Sequence, residues 1–204
     1  MPATIEVYYN FRSPYAYFAS HRIQDGAISR CGYTWIWRPV SIDALLNLQA
    51  GRAPWASYLD PLSPPKRAHL VADVRRLAAY YSVPLRPTNP RRPNSIPALC
   101  FAALLDERER SAFNHAVFEA LWQSQRDISS PEVLDKCLAH AGARSELLDA
   151  AFQDSARSDL ANDTSEDFAR GIFGVPTFIF DGEIFFGNDR LELLLWSVEQ
   201  RLSR

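Results

Sequence analysis

Segments rich in β-branched and aromatic residues stand near the two ends of this chain, while residues 41–170 read as helices and proline-broken connections. The first run, Thr4 to Asn10 (Thr-Ile-Glu-Val-Tyr-Tyr-Asn), predicts a strand. Ser13-Pro14 then marks a helix start, with serine as N-cap and proline at the first helical position. Tyr15, Phe18, Ala19, Ile23 and Ala27 are spaced for one apolar face of a helix reaching about Arg30, broken at Gly32. Tyr33 to Val40 predicts a second strand, and strands joined through a helix are expected to be parallel.

The middle opens on a Pro-rich stretch (Pro54, Pro61, Pro64, Pro65) leading into a helix from about Lys66 to Tyr81. Pro84 to Pro93 is an extended connection carrying Arg86, Arg91 and Arg92. Helices follow from Ser95 to about Leu105, from Ser111 to Gln125, from the Ser130-Pro131 cap to about Gly142, and as two more over Arg144 to Arg170. The tail returns to sheet: Pro176 to Asp181 is a strand, Asp181-Gly182 a hairpin turn, and Glu183 to Phe186 the partner strand. Gly187-Asn188-Asp189 starts a last helix, in which Leu191, Leu194, Leu195, Val198 and Leu202 carry helical spacing. No repeat period and no low-complexity linker interrupts this order. The expected architecture is therefore an α/β sheet with a helical insertion.

Composition limits the classes of function. At 204 residues, 47% hydrophobic and 23% charged, the chain matches one globular unit with a substantial core. Its net charge of −2 lacks the basic excess that a nucleic-acid partner demands. No apolar run approaches the ~20 residues of a membrane span, and Met1-Pro2-Ala3-Thr4 lacks the features of a secretory signal. A cytoplasmic enzyme or binding protein is expected. The three cysteines (Cys31, Cys100, Cys137) form no CxxC, which argues against a dithiol oxidoreductase and suggests small core residues. His21, His69, His115 and His140 show no metal-ligand spacing. Tyr8, Trp35 and Trp37 lie on strands and read as core rather than ligand wall.

Two motifs carry a resemblance that spans essentially the whole chain. Phe11-Arg12-Ser13-Pro14-Tyr15-Ala16-Tyr17 resembles the F-x-S-P-[YF]-x-Y segment of 2-hydroxychromene-2-carboxylate isomerases. Phe173-Gly174-Val175-Pro176-Thr177-Phe178, followed by Phe186-Gly187-Asn188-Asp189-Arg190-Leu191, is similar to the ending of the same family. Lys66, Asp73, Arg76-Leu77-Ala78 and Pro93-Asn94-Ser95 also resemble family segments. Asn10, Cys100 and Phe186 stand where the family commonly has aspartate, arginine and tryptophan, and Ser41 to Pro65 resembles it only loosely. The resemblance implies a thioredoxin-like fold of the DsbA and kappa-class glutathione transferase branch. Residues 1–40 and 171–204 would form the thioredoxin core, and about 41–170 a helical insertion domain.

The resemblance further implies glutathione as cofactor, with Ser13 donating a hydrogen bond to its sulfur. A helix N-terminus offers unpaired N–H groups and a positive dipole end, which stabilise a thiolate. N-capping alone also explains a serine there. Pro176 would follow a cis bond, leaving the Val175 backbone to pair with an extended peptide, although an ordinary trans proline at a strand start remains the simple alternative. Phe186, Gly187, Asn188 and Asp189 would receive the γ-glutamyl end, although capping also accounts for Asn188 and Asp189. Lys66 and Asn94 are weaker candidates for substrate. Arg86, Arg91 and Arg92 would pair with a carboxylate or simply face solvent. The implied activity is cis-trans isomerisation of an unsaturated aromatic carboxylate by reversible thiolate addition. A kappa-like glutathione transferase and a non-catalytic thioredoxin-fold binding protein are the alternatives. A homodimer is implied, with a small-molecule aromatic substrate and no nucleic acid or membrane partner.

Overall fold

The computed structural model describes residues 3–24, 33–57, 59, 62–143 and 147–203. The predicted end of the first helix, Ala27, Cys31, the Gly32 break, Pro61 and the helix start at Arg144 lie outside the described residues, as do Met1 and Pro2.

Strand β1 (Thr4–Tyr9), helix α1 (Pro14–Gln24) and strand β2 (Thr34–Pro39) form the opening unit. β1 and β2 are parallel, with Thr4 opposite Thr34 and Tyr9 opposite Pro39. The helical stretch comprises α2 (Ile42–Gln49), α3 (Pro64–Tyr80), α4 (Ile96–Leu104), α5 (Glu107–Trp122), α6 (Pro131–Ala141), α7 (Leu147–Ala151) and α8 (Asp154–Ala169). Strands β3 (Thr177–Phe180) and β4 (Glu183–Phe186), a 3-10 turn at Asn188–Arg190 and helix α9 (Leu191–Leu202) close the chain. The sheet order is β2-β1-β3-β4, with β3 antiparallel to both neighbours. Asp181 and Gly182, both at positive φ, make the predicted tight hairpin.

The period of two along β1 divides the core. Ile5, Val7, Tyr9 and Phe11 enter a large cluster that also takes Phe18, Trp37, Phe101, Phe113, Phe118, Leu121, Leu138 and Leu160. Sheet and helices thus share one continuous core. Tyr9 is its aromatic hub, edge-on to Phe11 at 5.3 Å and to Trp37 at 5.5 Å. On the other sheet face Tyr8 packs with Val40, Leu45, Ile172 and Val175. Tyr8 and Trp37 are buried and Trp35 is half-buried, in line with their reading as core.

Helix α2 was not anticipated by the sequence reading, although Ser41 caps it by accepting from Ala44 N–H and Asp43 lies in its first turn. Helix α5 begins a turn earlier than expected because Asp106 and Glu109 form a capping box. Ser130 makes no side-chain cap at α6, whose proline first residue and left-handed Gly142 terminus set its limits instead. Buried Arg110 satisfies the end of α4 by donating to the carbonyls of Ala102 at 2.6 Å and Leu105 at 2.5 Å, and reaches Trp37 O at 3.0 Å. On α9, Leu191, Leu194 and Val198 are buried, whereas Leu202 at the last turn is exposed alongside Leu193 and Trp196.

Candidate functional site

The turn joining β1 to α1 is pinned from all sides. Asn10 is buried; its Nδ2 donates to Val40 O at 2.8 Å, and its Oδ1 accepts from Arg12 N–H at 2.9 Å and from Ser95 Oγ at 3.2 Å. An aspartate could not make the first of these bonds, which accounts for an amide here. The Trp122 indole donates to Phe11 O at 2.9 Å, and Ser13 N–H donates to Asn10 O at 3.0 Å.

These bonds fix Ser13 at the start of α1. Its Oγ accepts from Ala16 N–H at 3.2 Å and donates to Val175 O at 3.4 Å. The cap therefore exists, and the hydroxyl also bridges to the segment entering β3. An O–H···O distance of 3.4 Å is long against the usual 2.7–2.8 Å, so this hydrogen is weakly held and open to a better acceptor. The Val175-Pro176 bond is cis, as the resemblance implied. Among the described residues the Val175 N–H takes no hydrogen bond.

The far wall is the turn after β4. Gly187 N–H donates to Pro176 O at 2.9 Å, so this glycine offers a ligand only the absence of a side chain. That absence is required: φ is +107°, and an added Cβ would lie 2.5 Å from Asp189 Oδ1. Neither Asn188 nor Asp189 caps the 3-10 turn, whose N-cap position is Gly187. Asn188 is buried, accepts from Arg22 and donates to Tyr81 Oη at 3.2 Å, so its amide is part of the scaffold and does not face a ligand. Asp189 is 69% exposed and pairs with Arg190 at 3.0 Å. Phe186 packs at a tilt against Phe173, ring centres 4.6 Å apart, both half in solvent. Gly174 makes room for this, since a Cβ there would meet the Phe186 ring at 2.7 Å.

Arg12, beside Ser13, grips Asp43 of α2 through both guanidinium nitrogens, and Arg92 reaches the same carboxylate at 3.0 Å. Burial favours the protonated Asp43, yet Arg12 and Arg92 hold its carboxyl below the usual carboxylate range. Two cations thus converge on one carboxylate close to Ser13 in the chain. Tyr15 Oη donates to Asp73 of α3 at 3.1 Å, and its phenol is pushed up to about 12 by burial, by Asp73 and by Asp189.

A cleft of about 560 Å³ opens beyond Asp43, lined by Ser41, Pro54, Trp55, Ile96 and Arg157 among others. Trp55 is 77% exposed there. A second cleft of about 330 Å³ shares Ile96, Asp154 and Arg157 with it and includes Asn94. Asn94 Oδ1 also accepts from Ile96 N–H at 3.1 Å, at the start of α4. Lys66 is exposed, two turns before Asp73 on the same face of α3. Arg92 joins the Asp43 cluster, whereas Arg86 and Arg91 are exposed and among the described residues are brought to no carboxylate. Arg12, Asp43, Arg22 and Tyr81 were not singled out from sequence; each acts through a partner remote in the chain.

Cys100 and Cys137 are buried and free, and burial pushes both thiols up to about 11. Among the described residues no cluster of His, Cys, Asp and Glu could hold a metal, and no helix is long and apolar enough to cross a membrane.

A four-stranded β2-β1-β3-β4 sheet with a cis proline facing the N-terminus of α1 is the arrangement of a thioredoxin-like protein carrying a helical insertion. Residues 4–198 match the DSBA-like thioredoxin domain, and the chain belongs to that family. It is 29% identical, over 95% of its length and 97% of the relative's, to a 2-hydroxychromene-2-carboxylate isomerase from Sphingobium xenophagum. A relative of the same name from Pseudomonas sp. (strain C18) is 29% identical over 93% of this chain and 87% of that one. A solved 2-hydroxychromene-2-carboxylate isomerase superposes with a TM-score of 0.80 at 23% identity, covering 98% of this chain and 96% of that one. The cytosolic disulfide reductase DsbM from Pseudomonas aeruginosa, solved with GSH, has a TM-score of 0.68 at 16% identity over 98% of this chain and 100% of that one. Both structures share the fold.

Proposed function

We propose that this protein is a glutathione-dependent cis-trans isomerase of an unsaturated aromatic carboxylate, related in activity to 2-hydroxychromene-2-carboxylate isomerase. The observation that carries the reading is the Ser13 hydroxyl, held between the start of α1 and the Val175 carbonyl by a weak 3.4 Å bond. The names of the relatives support the reaction class, and the GSH-bound neighbour supports the cofactor.

The residues fit the tripeptide. The Val175 N–H has no partner among the described residues and suits strand-like pairing with an extended ligand. Asp189 offers an exposed carboxylate to an ammonium group, the flanking backbone offers N–H groups, and Phe186 supplies an apolar wall. When bound, glutathione supplies a thiolate that adds reversibly to the conjugated unsaturated carbon, so that the former double bond turns before the thiol leaves.

This chain's own work is to position and to stabilise charge. Ser13 turns its hydrogen from Val175 O toward the sulfur, and the N–H groups and dipole of α1 favour the thiolate. Arg12 and Arg92 add positive charge that suits an anionic substrate, and the cleft of Trp55 and Arg157 gives its ring and carboxylate a place. Asn94, in the adjoining cleft, and Lys66, exposed on α3, are weaker candidate contacts. On this reading residues 1–40 and 171–204 are the thioredoxin core and about 41–170 the insertion. The protein acts in the cytoplasm as a homodimer, for which the exposed Leu193, Trp196 and Leu202 of α9 offer an apolar face.

Calorimetric titration with reduced glutathione tests the reading. Saturable binding, weakened in Asp189→Ala, is expected, followed by conversion of 2-hydroxychromene-2-carboxylate without change of mass. A product heavier by one glutathione would make the protein a transferase. A folded protein that takes up no glutathione at millimolar concentration would leave a non-catalytic binding protein.

A further inference from the structure

The reading above gives the turn after β4 to the γ-glutamyl end of glutathione, and the turn's conformation is imposed from outside. Arg22, in the last turn of α1, donates through Nη1 to Asn188 O at 2.9 Å and to Asn188 Oδ1 at 3.1 Å. Its Nη2 meets the Glu192 carboxylate in the first turn of α9. The guanidinium lies 4.5 Å from the centre of the Tyr81 ring, which closes α3, and Asn188 Nδ2 donates to Tyr81 Oη. One largely buried cation therefore ties α1, α3 and α9 to a single residue of the turn. Asn188 is clamped by its carbonyl, its side-chain oxygen and its side-chain nitrogen together.

The next residue, Asp189, is the opposite case: it is exposed, and among the described residues its carboxylate pairs with its neighbour Arg190 alone. The direction of that carboxylate, and of the turn's N–H groups, is thus decided one residue earlier. With Asn188 locked inward, the third of a turn that each residue of the 3-10 turn advances carries Asp189 to another, exposed face. The cluster also adds little net charge, because Glu192 offsets Arg22 beside it. Arg22 thus acts by geometry, whereas Arg12 and Arg92 act by field.

We propose that Arg22 is a positioning residue for the γ-glutamyl subsite, acting through Asn188, and that it governs affinity for that part of the ligand alone. The inference rests on the glutathione reading and separates from it experimentally. Three thiols are titrated into the full-length protein: glutathione, γ-glutamylcysteine and cysteinylglycine, the last lacking the γ-glutamyl group. Losing hydrogen bonds from a charged donor should weaken glutathione and γ-glutamylcysteine roughly tenfold in Arg22→Met. Cysteinylglycine should bind Arg22→Met as it binds the wild type. Arg22→Lys, which keeps the charge but not the two-nitrogen grip, should recover part of the loss. Tyr81→Phe, which removes one bond and keeps the ring, provides a milder lesion with the same ligand pattern.

Equal weakening of all three thiols in a folded Arg22→Met protein would make Arg22 merely structural and overturn the proposal. Unchanged binding of glutathione in that variant would overturn it as well, leaving the cofactor reading intact. A folded wild type that binds none of the three would sink both readings together.

Discussion

Arg12 and Asp43 are joined by two side-by-side bonds of 2.9 and 2.7 Å, one residue away from the Ser13 hydroxyl. This fork fastens α2 to the start of α1. It also explains why a segment rich in prolines downstream begins with an ordered helix that frames one side of the cleft.

Asp43→Asn should weaken this junction. The pair is partly solvated, with side chains 15% and 28% exposed, so a loss of about 1 kcal/mol is expected in urea unfolding at neutral pH. The folded carboxyl titrates below its unfolded value, so its stabilisation is complete above the usual carboxylate range and fades as pH falls through the lowered pKa. Wild type and variant should converge in acid.

Ser13→Cys would place a thiol on the N-terminus of α1. Its pKa should fall to about 7 or below, as for other thiols at helix starts. Absorbance of the thiolate against pH would show this transition well separated from Cys100 and Cys137, held near 11. A cysteine at position 13 that titrates at its ordinary value would refute the stabilising role assigned to the helix terminus.

Asp167 behaves contrary to the usual carboxylate. Burial foremost raises it to about 6, despite Arg170 at 3.4 Å. The folded state then binds its proton more tightly than the unfolded state, so stability declines as pH rises through about 4 to 6. Asp167→Asn should gain on the order of 1 kcal/mol over the wild type at pH 8, and the gain should vanish below about pH 4. Arg170 keeps Glu6 and Tyr8 as partners in the variant.

Arg110→Met should be among the costly substitutions. It strips donors from the carbonyls of Ala102, Leu105 and Trp37 and strands them in the core. A loss of about 3 kcal/mol is expected in denaturant unfolding, because unsatisfied buried acceptors carry their full desolvation cost.

The strands, the α1 start and the β3–β4 hairpin were legible because their signals are local: alternation, Ser-Pro, and Asp-Gly. The α2 helix and the early start of α5 have equally local signals, in the Ser41 cap and the Asp106–Glu109 box, but the prolines after α2 and Ser111 compete with them as breaker and cap. The site divides along the same line. Ser13, Val175-Pro176 and Gly187 sit in short recognisable motifs. The groups that orient them do not: Arg12 meets Asp43 across 31 positions, Tyr15 meets Asp73 across 58, and Arg22 meets Asn188 across 166. Nothing in spacing along a single chain reports such pairs. Asn188 illustrates the consequence, since its place in a ligand-side motif pointed outward while its amide faces in.

The central position of β3 has a bearing on how the chain comes into being. β1 lies between β2 and β3, yet β3 begins only at Thr177, after the whole helical stretch that follows β2. Until Thr177 has been made, the edge of β1 formed by Glu6, Val7 and Tyr8 has no strand to pair with. An open apolar edge is a template for another chain, so nascent or truncated forms ending before residue 177 should be prone to aggregation and dependent on chaperones. The hydroxyl of Ser13 likewise has no Val175 carbonyl until that moment. Closure of the sheet and birth of the site are one event, and it waits until residues 175–180 have been made.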